Sequence, residues 1–530
     1  MRRLLTLSVL ALAFVAPFPA TASTTFVFFG AGWGHGIGMA QYGAYGFAQH
    51  GWTYDEILAH YYSGTTLGRA STSRIRVLLA SGKSLEIGSD APFSVTDAAG
   101  RIELPAGTVR IGAGLRLEVD GERRKLEGPI RFRPGKKPLR LGRPYRGTIV
   151  VTPADGKLLA VNDLKLEQYL RGVVAGEMPP DWHPEALKAQ AVAARTYALA
   201  SRESEGPFDV FSDTRDQVYG GIETEDARTN AAVTATGGEV VLYEGEIAWT
   251  FFSASSGGKT AAIEDVFVGA EPLPYLVSVD DPYDTISPYH RWGPLTFTAK
   301  QLKARLGSRL PAGLTDLEVN VNASGRVASV TAHGSGGATK EIGGPTMRAL
   351  LGLRSTWFSI ATQDELVVST NRLVFGQRVT LSGYSPDRSE VTIEQRPEGG
   401  TWETLATVAV RDDGSFSARA RPQTTTAYRL RLGSKAGAPV RVVVAPKVTL
   451  SEAAKPGALT GTIKPILAGA EVTIQRRAQS SWKAVAFAAV DGDGGFRAAF
   501  DVTPGVYRAR VAPGAGLAAG TSRPLAIGAG

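Results

Sequence analysis

Two groups in the stretch Tyr169–Leu199 (YLRGVVAGEMPPDWHPEALKAQAVAARTYAL) could do chemistry: the carboxyl of Glu177 and the guanidinium of Arg195. An acid held between a helix end and the Pro179-Pro180 corner is fixed in place and easily half-buried. Burial lifts a carboxyl towards neutrality, where it can both give and take a proton. The ordinary alternative is a solvated loop acid. Spacing predicts a helix on each side of it. The first, Leu164 to Ala175, puts Leu166, Leu170, Val173 and Val174 on one apolar stripe and stops at Gly176. The second opens with Pro184, whose missing N–H is no loss at a first helical position, and runs through Leu187, Ala191, Ala194 and Ala198. Arg195 lies about three turns into it, on the side of Lys188 and Val192.

Three further stretches carry polar groups at suggestive spacings. Gly30 to Ala44 reads GAGWGHGIGMAQYGA, and its alternating glycines let the backbone turn sharply or approach another group closely. The spacing is not that of a dinucleotide fingerprint, and a plain glycine loop with a satisfied His35 is the alternative reading. His35, His50 and His60 lack the spacing of metal ligands, so no metal is expected. Ser256-x-x-Lys259 matches the SxxK of acyl-transfer enzymes, but Gly257-Gly258 spoils the helix that would bring lysine onto serine. Ser212-Asp213-Thr214 is not the partner motif either.

The run LEQYLRGVVAGEMP…EALKAQAVAARTYAL closely resembles the SpoIID/LytB family, whose members include lytic transglycosylases and amidase enhancers. GWGHGIGMAQYGA looks like the GHGVGMSQYGA signature of the same family, Asp213…Gln217-Val218-Tyr219-Gly220-Gly221 like its D…QVYGG segment, and Ser253–Gly258 like its FHSTSGG loop, with Phe252 and Ala254 altered. The resemblance implies an α+β catalytic domain in which Glu177 is the acid/base and Arg195 is also needed. It implies substrate-binding places for His35, Gln41, Tyr42, Gln217, Tyr219, Ser255, Ser256, Gly257 and Gly258. His35 should then line the same cleft as Glu177. The implied reaction is cleavage of peptidoglycan glycan strands to 1,6-anhydro-muramyl ends, without a cofactor. Its alternative is a non-catalytic wall-binding enhancer of an N-acetylmuramoyl-L-alanine amidase. A nearby Arg195 would oppose the raised pKa of Glu177, so it is expected to bind substrate or support the loop. In the family the glycine signature closes the domain; here it comes first. Arg348–Ile360 (RALLGLRSTWFSI) resembles the sequence that ordinarily precedes it. A circular permutation is therefore expected, with Thr25 to about Gly68 packing as though it followed Ile360.

These elements sit in a chain long enough for three or four domains. Residues 1–22 read as a signal peptide: Arg2-Arg3, an apolar run from Leu4 to Phe18 too short to span a membrane, then Ala20-Thr21-Ala22. The expectation is a secreted or wall-associated protein with no span in the mature chain. Without Arg2 and Arg3 the net charge falls from +8 to +6, and no basic cluster interleaves with aromatics, so nucleic acid is not an expected partner. With no cysteine, disulfides and thiol chemistry are excluded. Residues 23–362 form the expected catalytic domain: a permuted segment 23–68, a β-rich subregion 72–162 and a core 163–362. A hairpin over Asp155-Gly156 leads into the core. Gln41–Gln49 reads as a helix, and Thr53–Glu56 as a capping box opening the next. Tyr289 and Trp292 lie on a loop where aromatics either stack on sugar or cap the core.

Residues 363–445 and 446–530 read as two immunoglobulin-like β-sandwich repeats. VTIEQR from Val391 recurs as VTIQRR from Val472, and Trp402, Phe416 and Tyr428 recur as Trp482, Phe496 and Tyr507. Both tryptophans are expected in the cores, and the repeats serve as spacers or wall contacts.

Overall fold

A computed structural model describes residues 24–528 apart from 72–73, 120, 204, 455–456, 479–480 and 515. The expected leader lies outside the described residues. From Arg74 onward the chain builds a six-stranded and a seven-stranded sheet around a shared core that includes Ile87, Val95, Phe132 and Ile149. Strands Thr148–Ala154 and Lys157–Lys165 form the expected hairpin. Its turn residues Asp155 and Gly156 both have positive φ (49° and 72°), the geometry that fits the strand twist.

The helices that matter follow in chain order: α1 (Gln41–Gln49), α2 (Tyr54–Tyr61), α3 (Leu166–Glu177), α4 (Pro184–Ala200) and α5 (Ala227–Ala235). Thr53 and Glu56 make the capping box at the start of α2, with the Thr53 amide donating to the Glu56 carboxylate at 3.0 Å. Strand Lys157–Lys165 runs straight into α3, so the seven-stranded sheet aims that helix. α3 buries Tyr169, Leu170, Val173 and Val174 against Ile75 and Val77 of the sheet and Ala191, Ala194 and Ala198 of α4. Leu187, Ala189, Val192 and Ala193 of α4 enter a second core with α1 and α2. A helix buried on every side needs small residues all round, which accounts for its alanines.

α3 departs from its expected end. It passes through Gly176 and includes Glu177 as its last residue; Met178 is extended (φ −126°, ψ 141°). A residue preceding proline is driven out of the helical region, so Pro179 sets the stop and the glycine does not.

The N-terminal segment is built into this body. Strand Thr25–Gly30 lies between Trp292–Thr298 and Phe358–Ala361, antiparallel to both. Its Phe26 and Phe28 are fully buried in a core with Phe297, Leu302 and Phe358. Gly38 then has φ 66°, and a Cβ there would stand 2.1 Å from the Phe251 carbonyl oxygen. Glycine is what allows Met39-Ala40 to pair with Phe252-Ser253 just beyond.

The remainder is all β, in two units. In the first, Val379, Leu381 and Phe416 from one sheet meet Val391, Ile393, Tyr428 and Leu430 from another. The second buries Leu459, Val472, Ile474, Phe496 and Tyr507 in the same way. The register irregularity at Ile393/Glu394 recurs at Ile474/Gln475. Phe416, Phe496, Tyr428 and Tyr507 take the expected core places, but Trp402 and Trp482 do not. Both are half-exposed under arginines, with Arg429 4.0 Å from the Trp402 ring centre and Arg508 4.2 Å from that of Trp482. An indole that stacks under a guanidinium on the outer face needs no place in the core.

Deleting residues 24–68 removes the middle strand of the three-stranded sheet and bares Phe297 and Phe358. The expected outcome is loss of cooperative thermal unfolding of the 24–362 body by circular dichroism; an unchanged melting curve would mark the segment as a dispensable arm.

Candidate functional site

Glu177 closes α3 with its carboxyl half-buried and held by two neutral donors. Oε1 accepts the Val218 amide at 2.8 Å, and Oε2 accepts Nε2 of Gln41 at 3.3 Å. Burial raises its pKa above the ordinary value, and these two hydrogen bonds pull it part of the way back. No Lys or Arg pairs with it among the described residues. Gln41, at the first position of α1, also reaches Gln190 of α4 at 3.5 Å. One carboxyl thus joins α1, α3 and the loop around Val218.

Glycines in α3 make that junction possible. A Cβ at Gly172 would lie 2.7 Å from the Tyr219 ring and one at Gly176 3.1 Å from the Val218 carbonyl. The extended loop therefore lies directly on the helix. Its alternation corrects the expectation for Gln217 and Tyr219. Both point inward, Gln217 donating to the Ala194 carbonyl and Tyr219 to Asn162, so neither is available to sugar. Val218, between them, faces out and gives its amide to Glu177.

Arg195 also differs from the expected catalytic place. It is 1% exposed, makes two 2.8 Å bonds to Glu167, and donates to the Val233 and Glu239 carbonyls. It cannot touch a substrate; it ties the start of α3 to α4, α5 and the strand that follows. The second of the expected alternatives, support, is the one its position fits.

His35 makes no hydrogen bond to the acid among the described residues. Its Nδ1 accepts the Ile37 amide at 3.0 Å, and its ring sits against Phe251 and Phe267. Burial, with Arg348 and Arg326 nearby, lowers its pKa to about 4, so the ring is neutral. The glycine loop delivers Gln41, not His35, to Glu177.

Ser255, Ser256, Gly257 and Gly258 are likewise committed internally. Asp284 accepts the Ser255 hydroxyl at 2.8 Å, the Ser256 and Gly257 amides at 3.1 and 3.0 Å, and faces Nδ1 of His290 at 2.9 Å. Ser256 donates its hydroxyl to Asp281 at 2.7 Å and accepts the Gly258 amide. The expected contact with glycan oxygens fails because two buried carboxylates already use these donors. Asp281 and Asp284 carry no sequence signal; they lie in a loop whose partners come from α1, α2 and the serine loop. Asp281 is fully buried beside Asp284, and desolvation, then that neighbour's charge, lifts its pKa to about 8.

Tyr42, which follows Gln41 in α1, opens a row of accessible aromatic groups. Tyr42 touches Trp182 (ring centres 4.8 Å apart) and Tyr289 (6.3 Å); Tyr289 touches Trp33 (4.2 Å), and Arg354 lies over Tyr289 and Trp33. Tyr289 thus belongs to this half-exposed row, whereas Trp292 is buried and donates to the Gly32 carbonyl. Trp182, Trp33 and Arg354 carry no spacing signal of their own, although all three lie inside stretches quoted from the sequence. Among the described residues no group of three or more His, Cys, Asp and Glu is arranged to hold a metal ion.

Residues 154–243, which contain Glu177, Arg195 and the Val218 loop, match the family model of SpoIID, Stage II sporulation protein. The chain is 44% identical over 138 residues to an uncharacterized protein of Brachyspira hyodysenteriae, a match covering 26% of this chain and 37% of that one. It is 32% identical over 243 residues to Stage II sporulation protein D of Bacillus subtilis, covering 42% of this chain and 68% of the relative. An amidase enhancer of Bacillus subtilis is 39% identical over 136 residues, 26% of this chain and 18% of the enhancer. The first and third matches thus span well under half of those relatives' lengths.

Two outcomes follow from the buried charges. Arg195→Met should lower stability by about 3 kcal/mol, the low end for breaking a buried pair because Glu167 is partly exposed; an unmoved denaturation midpoint would deny the supporting role. Asp281 binds its proton more tightly folded than unfolded, so the stability it contributes is complete below about pH 4 and is lost as the pH rises through about 8. Thermal midpoints of Asp281→Asn should fall less than those of the parent protein between about pH 5 and about pH 9. Parallel curves would refute this.

Proposed function

We propose that this chain, which belongs to the SpoIID/LytB family, is a cell-wall lytic transglycosylase using Glu177 as its single acid/base. The observation that carries this reading is the carboxyl itself: half-buried, raised in pKa and bonded only to neutral donors, one of them Gln41, whose neighbour Tyr42 opens a half-exposed aromatic row. Glycoside hydrolysis ordinarily uses two carboxylates, one to protonate the leaving oxygen and one to act on water or the anomeric carbon. In this reading one group, Glu177, serves both turns of the reaction. Neutral Glu177 protonates the oxygen between MurNAc and GlcNAc as the C–O bond breaks. The resulting carboxylate then accepts the proton of the muramyl 6-hydroxyl, whose oxygen bonds to the anomeric carbon. A 1,6-anhydro end forms, the acid is regenerated, and no water is consumed. Gln41 and the Val218 amide hold the carboxyl in register for both steps; half-exposed Tyr42 offers a ring on which a pyranose can stack, and Trp182, itself stacked on Tyr45, backs it.

The leader, residues 1–22, would export the protein to its wall substrate; no helix among the described residues is long and apolar enough to cross a membrane. The pairing of Thr25–Gly30 with Phe358–Ala361 supports reading the N-terminal segment as a circular permutation of the family order. A second reading rests on the similarity to the amidase enhancer: a wall-binding protein that stimulates an amidase and cuts nothing itself.

Mass spectrometry of denuded glycan strands separates the two. The parent protein should release anhydro-muramyl ends and Glu177→Gln none. Equal release by the variant would refute Glu177 as the acid/base; none from either protein, with amidase stimulation intact, would favour the enhancer.

A further inference from the structure

The two C-terminal units carry the same outward-facing triad, with one change of charge. In the first, Glu394 pairs in register with Arg429, which stacks on Trp402; in the second, Gln475 pairs with Arg508, which stacks on Trp482. Glu394 binds both Arg429 and Arg431, and these bonds hold its carboxyl below its usual range, so both guanidiniums of that face have a carboxylate partner and its charge is reduced by one. Gln475 keeps the geometry, its Oε1 accepting Nε of Arg508 at 2.8 Å, but supplies no charge. Arg510 takes the place of Arg431 opposite Thr473 and is exposed. Among the described residues no carboxylate pairs with Arg508 or Arg510.

A second substitution works in the same direction. Thr407, which faces Thr392 in the first unit, is replaced by Phe487, which faces Thr473 and is 61% exposed. The second unit therefore presents two guanidiniums without a carboxylate partner and two accessible rings, Trp482 and Phe487, two strands away across Gln475 and Thr473. Its wider charge agrees: residues 446–530 hold ten Lys and Arg against five Asp and Glu, whereas residues 363–445 hold eleven against nine. Nothing in folding requires this difference, because the first unit builds the same sheet with a carboxylate in the place of Gln475.

We infer that this face of the second unit binds an oxyanion borne on a sugar polymer, a carboxylate or phosphate received by Arg508 and Arg510 with the adjoining ring faces on Trp482 and Phe487. Gln475 positions Arg508 and leaves its charge free. The inference relies on the proposed function only for the source of that anion, the cell wall. It is read by binding and not by cleavage, so either can fail without the other.

The test uses the full chain with purified wall sacculi, native and stripped of phosphate polymer by hydrofluoric acid, in a pelleting assay at low and high salt. Gln475→Glu copies the first unit and should weaken binding about tenfold at low salt with an unchanged melting curve. Arg510→Ala, at an exposed position, should weaken it similarly and decides the matter if Gln475→Glu misfolds. A difference between parent and variant that disappears on stripped sacculi assigns the anion to phosphate; one that persists assigns it to carboxylates of the peptidoglycan. Unchanged binding by folded Arg510→Ala, together with unchanged binding by any folded Gln475→Glu, would overturn the proposal. So would equal displacement of the parent by a DNA duplex, which would reduce the face to a general polyanion surface.

Discussion

The close approach of α3 to the loop at Val218 governs the site. Glu177 loses solvation at the end of a packed helix, and what offsets that loss is a backbone amide that can reach it only if nothing stands between helix and loop. Gly172 and Gly176 supply that clearance. A side chain at Gly172 would push the loop away, take the amide from Oε1, and leave a carboxyl whose burial was no longer compensated; at Gly176 the contact is tight. The same contact turns Gln217 and Tyr219 inward, where they secure the loop against α4 and the hairpin.

The remaining support comes from buried ionisable groups that make no hydrogen bond to the acid. Arg195 and Glu167 bind the beginning of α3 to its neighbours, while Asp281 and Asp284 gather α1, α2 and the serine–glycine loop. Gly43 of α1 belongs to this arrangement, since a Cβ there would lie 2.3 Å from the Asp281 carboxylate. Keeping such groups away from Glu177 matters chemically. A guanidinium beside it would hold the carboxyl ionised, and a second carboxylate would draw it into a shared titration.

The paired C-terminal units show how little sequence separates a self-satisfied surface from a receptive one. Sheet, register and stacked tryptophan are retained, and one oxygen of Glu394 becomes the amide nitrogen of Gln475. The backbone hydrogen bonds are indifferent to that exchange; the field above the sheet is not.

Local order was legible from the chain itself. Alternation marked the hairpin into α3, Thr53 and Glu56 marked the start of α2, the repeat of about 80 residues marked the twin β-units, and the acid at the Met178–Pro179 corner marked the candidate centre. Such signals depend on neighbours a few residues away or on a long internal echo. The partners of each polar group were not legible. Whether Ser256 meets sugar or Asp281, whether Arg195 meets substrate or Glu167, and whether Trp402 lies inside or outside depend on segments distant in sequence. Burial and charge pairing are properties of the assembled packing, and the identity of a side chain states what it can bond to, not which partner arrives.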